Sequence, residues 1–177
     1  MHYEISNWAK DVKNQPFDPG SLTPSYACRH NLQYWHSRPY LAFGAGAHGY
    51  AKGYRYSNAL RIKTYIERII HPTSFISLPF PFSPAAVNQH KQTLQDDISE
   101  YMLNNLRLTN TGAVESDFRT RFGCGLLDAY PKEIEELIQL GLLESKTSRV
   151  LGTREVSFRL TKRGRLLGNQ VFMRFLE

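Results

Sequence analysis

The 177-residue sequence predicts an α+β chain in two parts, and three observations predict it. Apolar residues recur at helical spacing from Leu94 to Ile138. The period then switches to two over Val156, Phe158 and Leu160. A dense run of prolines, Pro72, Pro79, Pro81 and Pro84, separates this region from a preceding segment of short strand and helix signals. These features place a first part over 1–71, a proline-rich linker over 72–93, and a small, mainly α domain over 94–177.

In chain order, Tyr3-Glu4-Ile5-Ser6-Asn7-Trp8 alternates weakly and reads as a short strand entering a loop. Residues 10–27 hold Pro16, Pro19, Gly20 and Pro24 with few aliphatics, the mark of an irregular surface connection. His30 to His36 fits two helical turns that close before Pro39, because the residue preceding a proline avoids the helical region. Tyr40-Leu41-Ala42-Phe43 is an apolar run bounded by glycine, the pattern of a buried strand. Ser57 is placed to cap a helix whose apolar face is Ile62, Tyr65, Ile66, Ile69 and Ile70.

Beyond the prolines, Leu94, Ile98, Tyr101, Met102 and Leu106 define one helix, and Val114, Phe118 and Phe122 a second that Gly123 stops. A third runs from Pro131 through Ile134, Leu137 and Ile138 to Gly141. Gly152-Thr153 offers a turn between strands around Val150 and Val156–Leu160, and Thr161 caps a last helix carrying Leu166, Leu167, Val171 and Phe175. Gly164 and Gly168, four apart, let that helix pack closely. Helix, helix, helix, hairpin, helix is the order of a winged-helix-like module.

Composition is that of an ordinary globular chain: 41% hydrophobic, 21% charged, with a mean hydropathy of −0.43. No stretch approaches the roughly 18 apolar residues of a membrane span. Met1-His2-Tyr3-Glu4 lacks the basic flank and apolar core of a signal peptide, and Cys28 and Cys124 fit no zinc or haem-attachment spacing. A reduced, cytoplasmic protein is expected. Charge is segregated: residues 1–93 carry ten Lys/Arg against four acids, 94–144 four against ten, and 145–177 eight against two. The basic tail could face nucleic acid, but the third helix carries Glu133, Glu135 and Glu136 where a duplex reader would carry arginines. Duplex recognition is therefore not expected, and two solvated faces of opposite sign are the plainer reading.

Chemistry concentrates in two runs. His30 and Tyr34 share a helical face, and a neutral imidazole is a good ligand for haem iron with flanking aromatics to hold a porphyrin plane. A histidine tying a helix start to its surroundings fits the same spacing. Gly44-Ala45-Gly46-Ala47 follows the expected strand, where bare backbone would let a ligand approach exposed amides or would simply form a tight turn. It lacks the third glycine of a dinucleotide fingerprint and the Lys-Ser/Thr of a phosphate loop. His48 lines the same place or caps the turn. Cys28 beside Arg29 and His30 is a weaker feature, and no residue pattern nominates a catalytic nucleophile or general base.

Three motifs in order carry a resemblance: Tyr-Glu-Ile-Ser-Asn-Trp-Ala (Tyr3 to Ala9), His-Asn-x-x-Tyr-Trp (His30 to Trp35) and Tyr-Leu-x-x-Gly-x-Gly-Ala-His (Tyr40 to His48). The tail adds Glu100-Tyr101-Met102-Leu103, Leu106-Arg107-Leu108, Leu160-Thr161, Gly164-Arg165-Leu166-Leu167 and Asn169. Together they resemble the oxygen-independent coproporphyrinogen III oxidase-like radical SAM proteins, and most closely their haem chaperone branch. The resemblance implies that residues 1–71 are terminal strand/helix units of a partial (β/α) radical SAM barrel and that 94–177 cover the barrel mouth. It implies haem binding at His30, Asn31, Tyr34 and Trp35, with His30 as the iron ligand, and places Gly44, Gly46 and Ala47 on the ligand side. A [4Fe-4S] cluster held by Cys-x-x-x-Cys-x-x-Cys and S-adenosylmethionine are expected only in a longer protein, since Cys28 and Cys124 cannot supply three thiolates. Two further departures are Ala42, where the family often has glycine, and a long Ala9–His30 loop.

The expected function is thus the C-terminal part of a haem chaperone, with haem or porphyrin and haem-acceptor proteins as partners. A fragment of a porphyrinogen oxidase is the alternative within the family. A stand-alone winged-helix interaction or nucleic-acid module is the alternative of another class. Unpaired strand edges also predict association into a homodimer.

Overall fold

The computed structural model describes residues 1–11, 23–71, 78–150 and 153–176. Most of the irregular connection expected over 10–27, and the Gly152 turn, lie outside the described residues. In chain order the elements begin with β1 (His2–Glu4), β2 (Asn7–Trp8), α1 (Arg29–Trp35), β3 (His48–Ala51), β4 (Tyr54–Asn58), α2 (Ile62–Ile70) and β5 (Ala86–Lys91). They continue with α3 (Leu94–Asn105), β6 (Ala113–Val114), α4 (Glu115–Phe122), α5 (Leu126–Ala129) and α6 (Pro131–Gln139), then β7 (Leu143–Val150), β8 (Thr153–Leu160), α7 (Lys162–Leu166) and α8 (Gly168–Met173). Helix and sheet are mixed, as an α+β chain requires.

The chain divides into two compact units that do not follow the boundaries drawn from sequence at 71 and 93. One comprises Met1–Ser37 with Ile98–Glu177; the other is Arg38–Asp97, set between those two stretches in the sequence.

In the first unit, α3 presents Ile98, Tyr101 and Met102, and the turn after it Leu106, to a core completed by Phe118 of α4, Ile134 and Leu137 of α6, and Leu160 of β8. Tyr101, Phe118 and Phe122 stack edge-on or tilted with centroids 4.8 to 5.7 Å apart, the geometry ring quadrupoles favour. Pro131 opens α6, where its missing N–H costs nothing. Gly141, at φ +67°, ends it in a left-handed conformation that an L side chain resists. The strands β6, β8 and β7 form an antiparallel sheet in that order, with Val150 paired to Thr153 at the hairpin end. Val114, read from sequence as the start of a helix, closes β6 instead and precedes α4. The Thr161 hydroxyl accepts from the Gly164 amide at 3.0 Å and donates to Gly141 O at 2.7 Å, so it caps as expected. The single last helix breaks at Leu167 into α7 and α8, whose short turns let both Gly164 and Phe172 face the core.

Chain entry is tied to the middle of the sequence. The Ile5 amide donates to Arg107 O at 3.0 Å and the Thr109 amide to Tyr3 O at 3.1 Å. Glu4 is fully buried there, accepting from the Asn7 side-chain amide.

The second unit is a three-stranded antiparallel sheet, β3-β4-β5, with α2 following β4 in the chain. Lys52 and Gly53, both at positive φ, make the two-residue turn between β3 and β4. Three sequence expectations are corrected. Tyr40 forms only an isolated bridge to Tyr50, while Leu41 and Phe43 are exposed, so the run is no buried strand. Its Ala42 amide is taken by the Tyr56 hydroxyl at 3.3 Å rather than by a neighbouring strand. Ser57 is buried in β4, and Arg61 occupies the cap position of α2 without a side-chain hydrogen bond. Residues 86–91, within the stretch read as a linker, form β5. The apolar face of α2, Ile62, Ile66, Ile69 and Ile70, is exposed.

Candidate functional site

The His-Asn-x-x-Tyr-Trp run forms α1, and the helical period splits it into two faces. His30 and Tyr34 lie together: the Tyr34 hydroxyl is 3.0 Å from His30 Nε2, and the rings meet edge-on at 4.8 Å between centroids. The His30 side chain is exposed, so its imidazole is accessible to a ligand. With the tyrosine donating, Nε2 keeps its lone pair and the ring proton sits on Nδ1. Asn31 and Trp35, also four apart, occupy a neighbouring face of the same helix.

Trp35 is not a free aromatic plate. The Arg107 guanidinium lies 4.4 Å from the indole centroid, a cation–π contact, and 5.9 Å from the Phe172 ring. The indole Nε1 is buried without a hydrogen-bond partner among the described residues. Arg107 enters this site from 72 positions downstream of Trp35, and nothing in local spacing announces it. Tyr3, of the first motif, supports the same helix: its hydroxyl accepts from the Cys28 amide at 3.2 Å, immediately before α1.

The glycine run belongs to the other unit and is a tight turn. Gly44 has φ +95° and Gly46 φ +70°, a region closed to most side chains. A Cβ at Gly46 would fall 2.9 Å from Leu60 Cδ1. The amides expected to face a ligand have protein partners. Gly44 N–H meets the Tyr65 hydroxyl at 3.3 Å, Gly46 N–H the Ala59 carbonyl at 3.0 Å, and Ala47 N–H the Gly44 carbonyl at 3.4 Å. Asn58 staples the turn, donating from Nδ2 to Ala42 O at 3.2 Å and Gly44 O at 2.9 Å. The sequence reading missed Asn58, because an asparagine ending a strand carries no signal of what its amide will hold. His48 opens β3 beside a small cavity of about 190 Å3 that Arg55, Ser57 and Asn88 also line.

Cys28 is exposed and Cys124 half-buried, and both are free thiols. Among the described residues no group of three His, Cys, Asp or Glu is arranged to hold a metal ion. Among them, too, no helix is long and apolar enough to cross a membrane.

Comparison with known proteins agrees with the class the motifs suggested. In fold, the chain is similar to a solved structure described as coproporphyrinogen III oxidase (HemN) from Escherichia coli, a radical SAM enzyme. The TM-score is 0.52 at 18% identity, over 78% of this chain and 28% of that one. In sequence it is similar to heme chaperone HemW of Bacillus subtilis, 34% identical over 174 residues, which is 98% of this chain and 38% of the relative. It is also similar to heme chaperone HemW of Lactococcus lactis, 29% identical over 175 residues, 99% of this chain and 37% of that protein. The relatedness read from the motifs therefore extends along essentially the whole chain, which spans less than two-fifths of the length of these relatives. No protein-family model matches it.

Proposed function

We propose that this chain is the part of a haem chaperone that holds haem before an acceptor protein takes it. The [4Fe-4S] cluster and S-adenosylmethionine would belong to the remainder of such a protein. The observation that carries this reading is the similarity over 98% of the chain to a protein named a heme chaperone. The exposed His30 supports it.

In this reading haem is cargo. His30 supplies the imidazole lone pair to iron. Tyr34 orients the ring and releases Nε2 when its hydroxyl swings aside. Asn31 contributes a side-chain amide, and Trp35 a rigid wall whose angle Arg107 fixes from behind. Gly44, Gly46 and Ala47 form, within their own unit, a turn of little side-chain bulk that a flat ligand could approach. Residues 94–177 would be a winged-helix-like cap: α3, α4 and α6 stand for its helices, and the β7–β8 hairpin, with β6 added, for its wing. Glu133, Glu135 and Glu136 on α6 argue against a nucleic-acid role for that cap and leave a haem-acceptor protein as its partner. A cytoplasmic setting and association through free strand edges complete the proposal.

Titration of the purified chain with haem tests it. A saturable Soret shift is expected, weakened by His30→Ala and retained by Tyr34→Phe. Identical spectra for wild type and His30→Ala would refute His30 as the ligand, and no shift in either would refute haem holding. Conversion of coproporphyrinogen by the longer protein would instead identify an oxidase.

A further inference from the structure

A cleft of about 460 Å3 opens in the first unit, within the range of small-molecule sites. Ile5, Arg107, Arg165, Leu166, Asn169 and Phe172 are among its lining residues, and among the described residues no acidic side chain lines it. The two arginines are held by groups that do not neutralise them. The Arg107 guanidinium carbon lies 4.4 Å from the Trp35 ring centroid and 5.9 Å from that of Phe172. Arg165 donates from Nη2 to the Thr109 carbonyl at 3.2 Å. The Nε of each is buried without a hydrogen-bond partner, and neither arginine forms an ion pair among the described residues. The buried carboxylate on the neighbouring strand, Glu4, takes a hydrogen bond from Asn7 on Oε1 and has Oε2 buried without a partner among the described residues. It forms no ion pair with either arginine among them, and does not line the cleft. Two uncompensated guanidinium groups on one cleft repel each other, and an anion between them removes that cost.

The walls narrow the kind of anion. Leu166 is 86% exposed at the rim and half-buried Ile5 adds to its apolar side, while Phe172 is buried in the core behind it. A guanidinium is a planar fork of donors, which matches the two coplanar oxygens of a carboxylate. The Asn169 and Gln170 amides add neutral donors.

We infer that this cleft binds a ligand through a carboxylate, with the apolar body of the ligand lying over the exposed Leu166 beside Ile5. The cleft shares Arg107 with the wall of the proposed haem site, but carboxylate binding through Arg165 does not require haem ligation by His30.

The experiment is an NMR titration of the 15N-labelled chain with decanoate, read at the Nε–Hε signals of Arg107 and Arg165. Burial of both Nε atoms slows their exchange with water and keeps the signals visible, and Arg107→Lys and Arg165→Lys assign them. Both signals are expected to move saturably, with half-saturation at or below about 1 mM. Arg165→Gln, which disturbs no aromatic stack, should weaken binding about tenfold or more. Leu166→Ser, at a solvent-exposed position, should weaken it several-fold without touching the fold. Signals that stay still up to about 10 mM decanoate would overturn the site. An equal response to inorganic phosphate or to decanol would overturn the carboxylate-plus-apolar assignment.

Discussion

Gly164 and Gly168 are four residues apart in the same helical tail, yet the structure assigns them opposite tolerance to a methyl group. A Cβ at Gly164 would fall 2.0 Å from the Leu142 carbonyl oxygen and 2.9 Å from its carbon. Both atoms are backbone and cannot rotate away, and that oxygen already accepts from the Thr161 amide at 3.0 Å. At Gly168 the nearest atoms are the Phe172 ring at 3.4 and 3.5 Å and Ile5 Cδ1 at 3.6 Å, which is ordinary contact. Overpacking costs about 1–3 kcal/mol. Distorting the Thr161–Leu142 bond adds about 1 kcal/mol. Replacing glycine by alanine in a helix returns up to about 1 kcal/mol. Gly164→Ala should therefore lose about 2 kcal/mol or more, while Gly168→Ala should be neutral or gain a few tenths. With a urea slope of about 2 kcal/mol per molar, the two midpoints should differ by about 1 M. A Gly164→Ala midpoint equal to or above that of Gly168→Ala would refute the close approach of α7 to Leu142.

Thr161→Ala removes the cap on α7 and the bond to Gly141 O, and should cost about 1–2 kcal/mol in the same assay. Tyr101 is buried, which pushes its hydroxyl well above the usual tyrosine range, with nearby Asp117 adding to the shift. Unfolded tyrosines lose their proton near pH 10 while folded Tyr101 keeps it, so stability should fall above that pH by up to about 1.4 kcal/mol per unit. Tyr101→Phe should flatten that fall, and should cost about 1–2 kcal/mol at neutral pH by stranding the Val114 backbone groups; an unchanged alkaline slope would contradict the shift. Phe118→Ala should cost about 3–5 kcal/mol, because it empties a fully buried position between two rings. Phe43→Ser, at a position 82% exposed, should stay within about 0.5 kcal/mol of wild type by thermal melting.

The mainly helical region was legible because its signals are local. Pro131 and Gly141 bracket α6, Thr161 caps α7, and the two-residue alternation of β8 needs no distant partner to be seen. The tyrosine-rich strands β3 and β4 were not, since Lys52-Gly53 lacks the Asn-Gly or Asp-Gly signature of the turn it makes. Tyr40–Phe43 had the composition of a strand, but a strand also needs a partner ladder, and past Tyr40 none forms. At the site, the His30–Tyr34 pair followed from four-residue spacing. The Arg107–Trp35 stack and the Asn58 staple join positions brought together only by the fold, where no period reaches.

The interleaving of the two units sets an order of assembly. On a ribosome, Trp35 emerges 72 residues before the Arg107 that braces it, an interval of about 4–14 s at about 5–20 residues per second. The unit over Arg38–Asp97 is complete in sequence before Leu108 exists to meet Glu4. The helix bearing His30 thus waits, unbraced, for the second half of its own unit. Synthesis halted before residue 107 would leave the helix bearing His30 with its Tyr3–Cys28 bond but without the Arg107 contact on Trp35, which only a longer chain supplies.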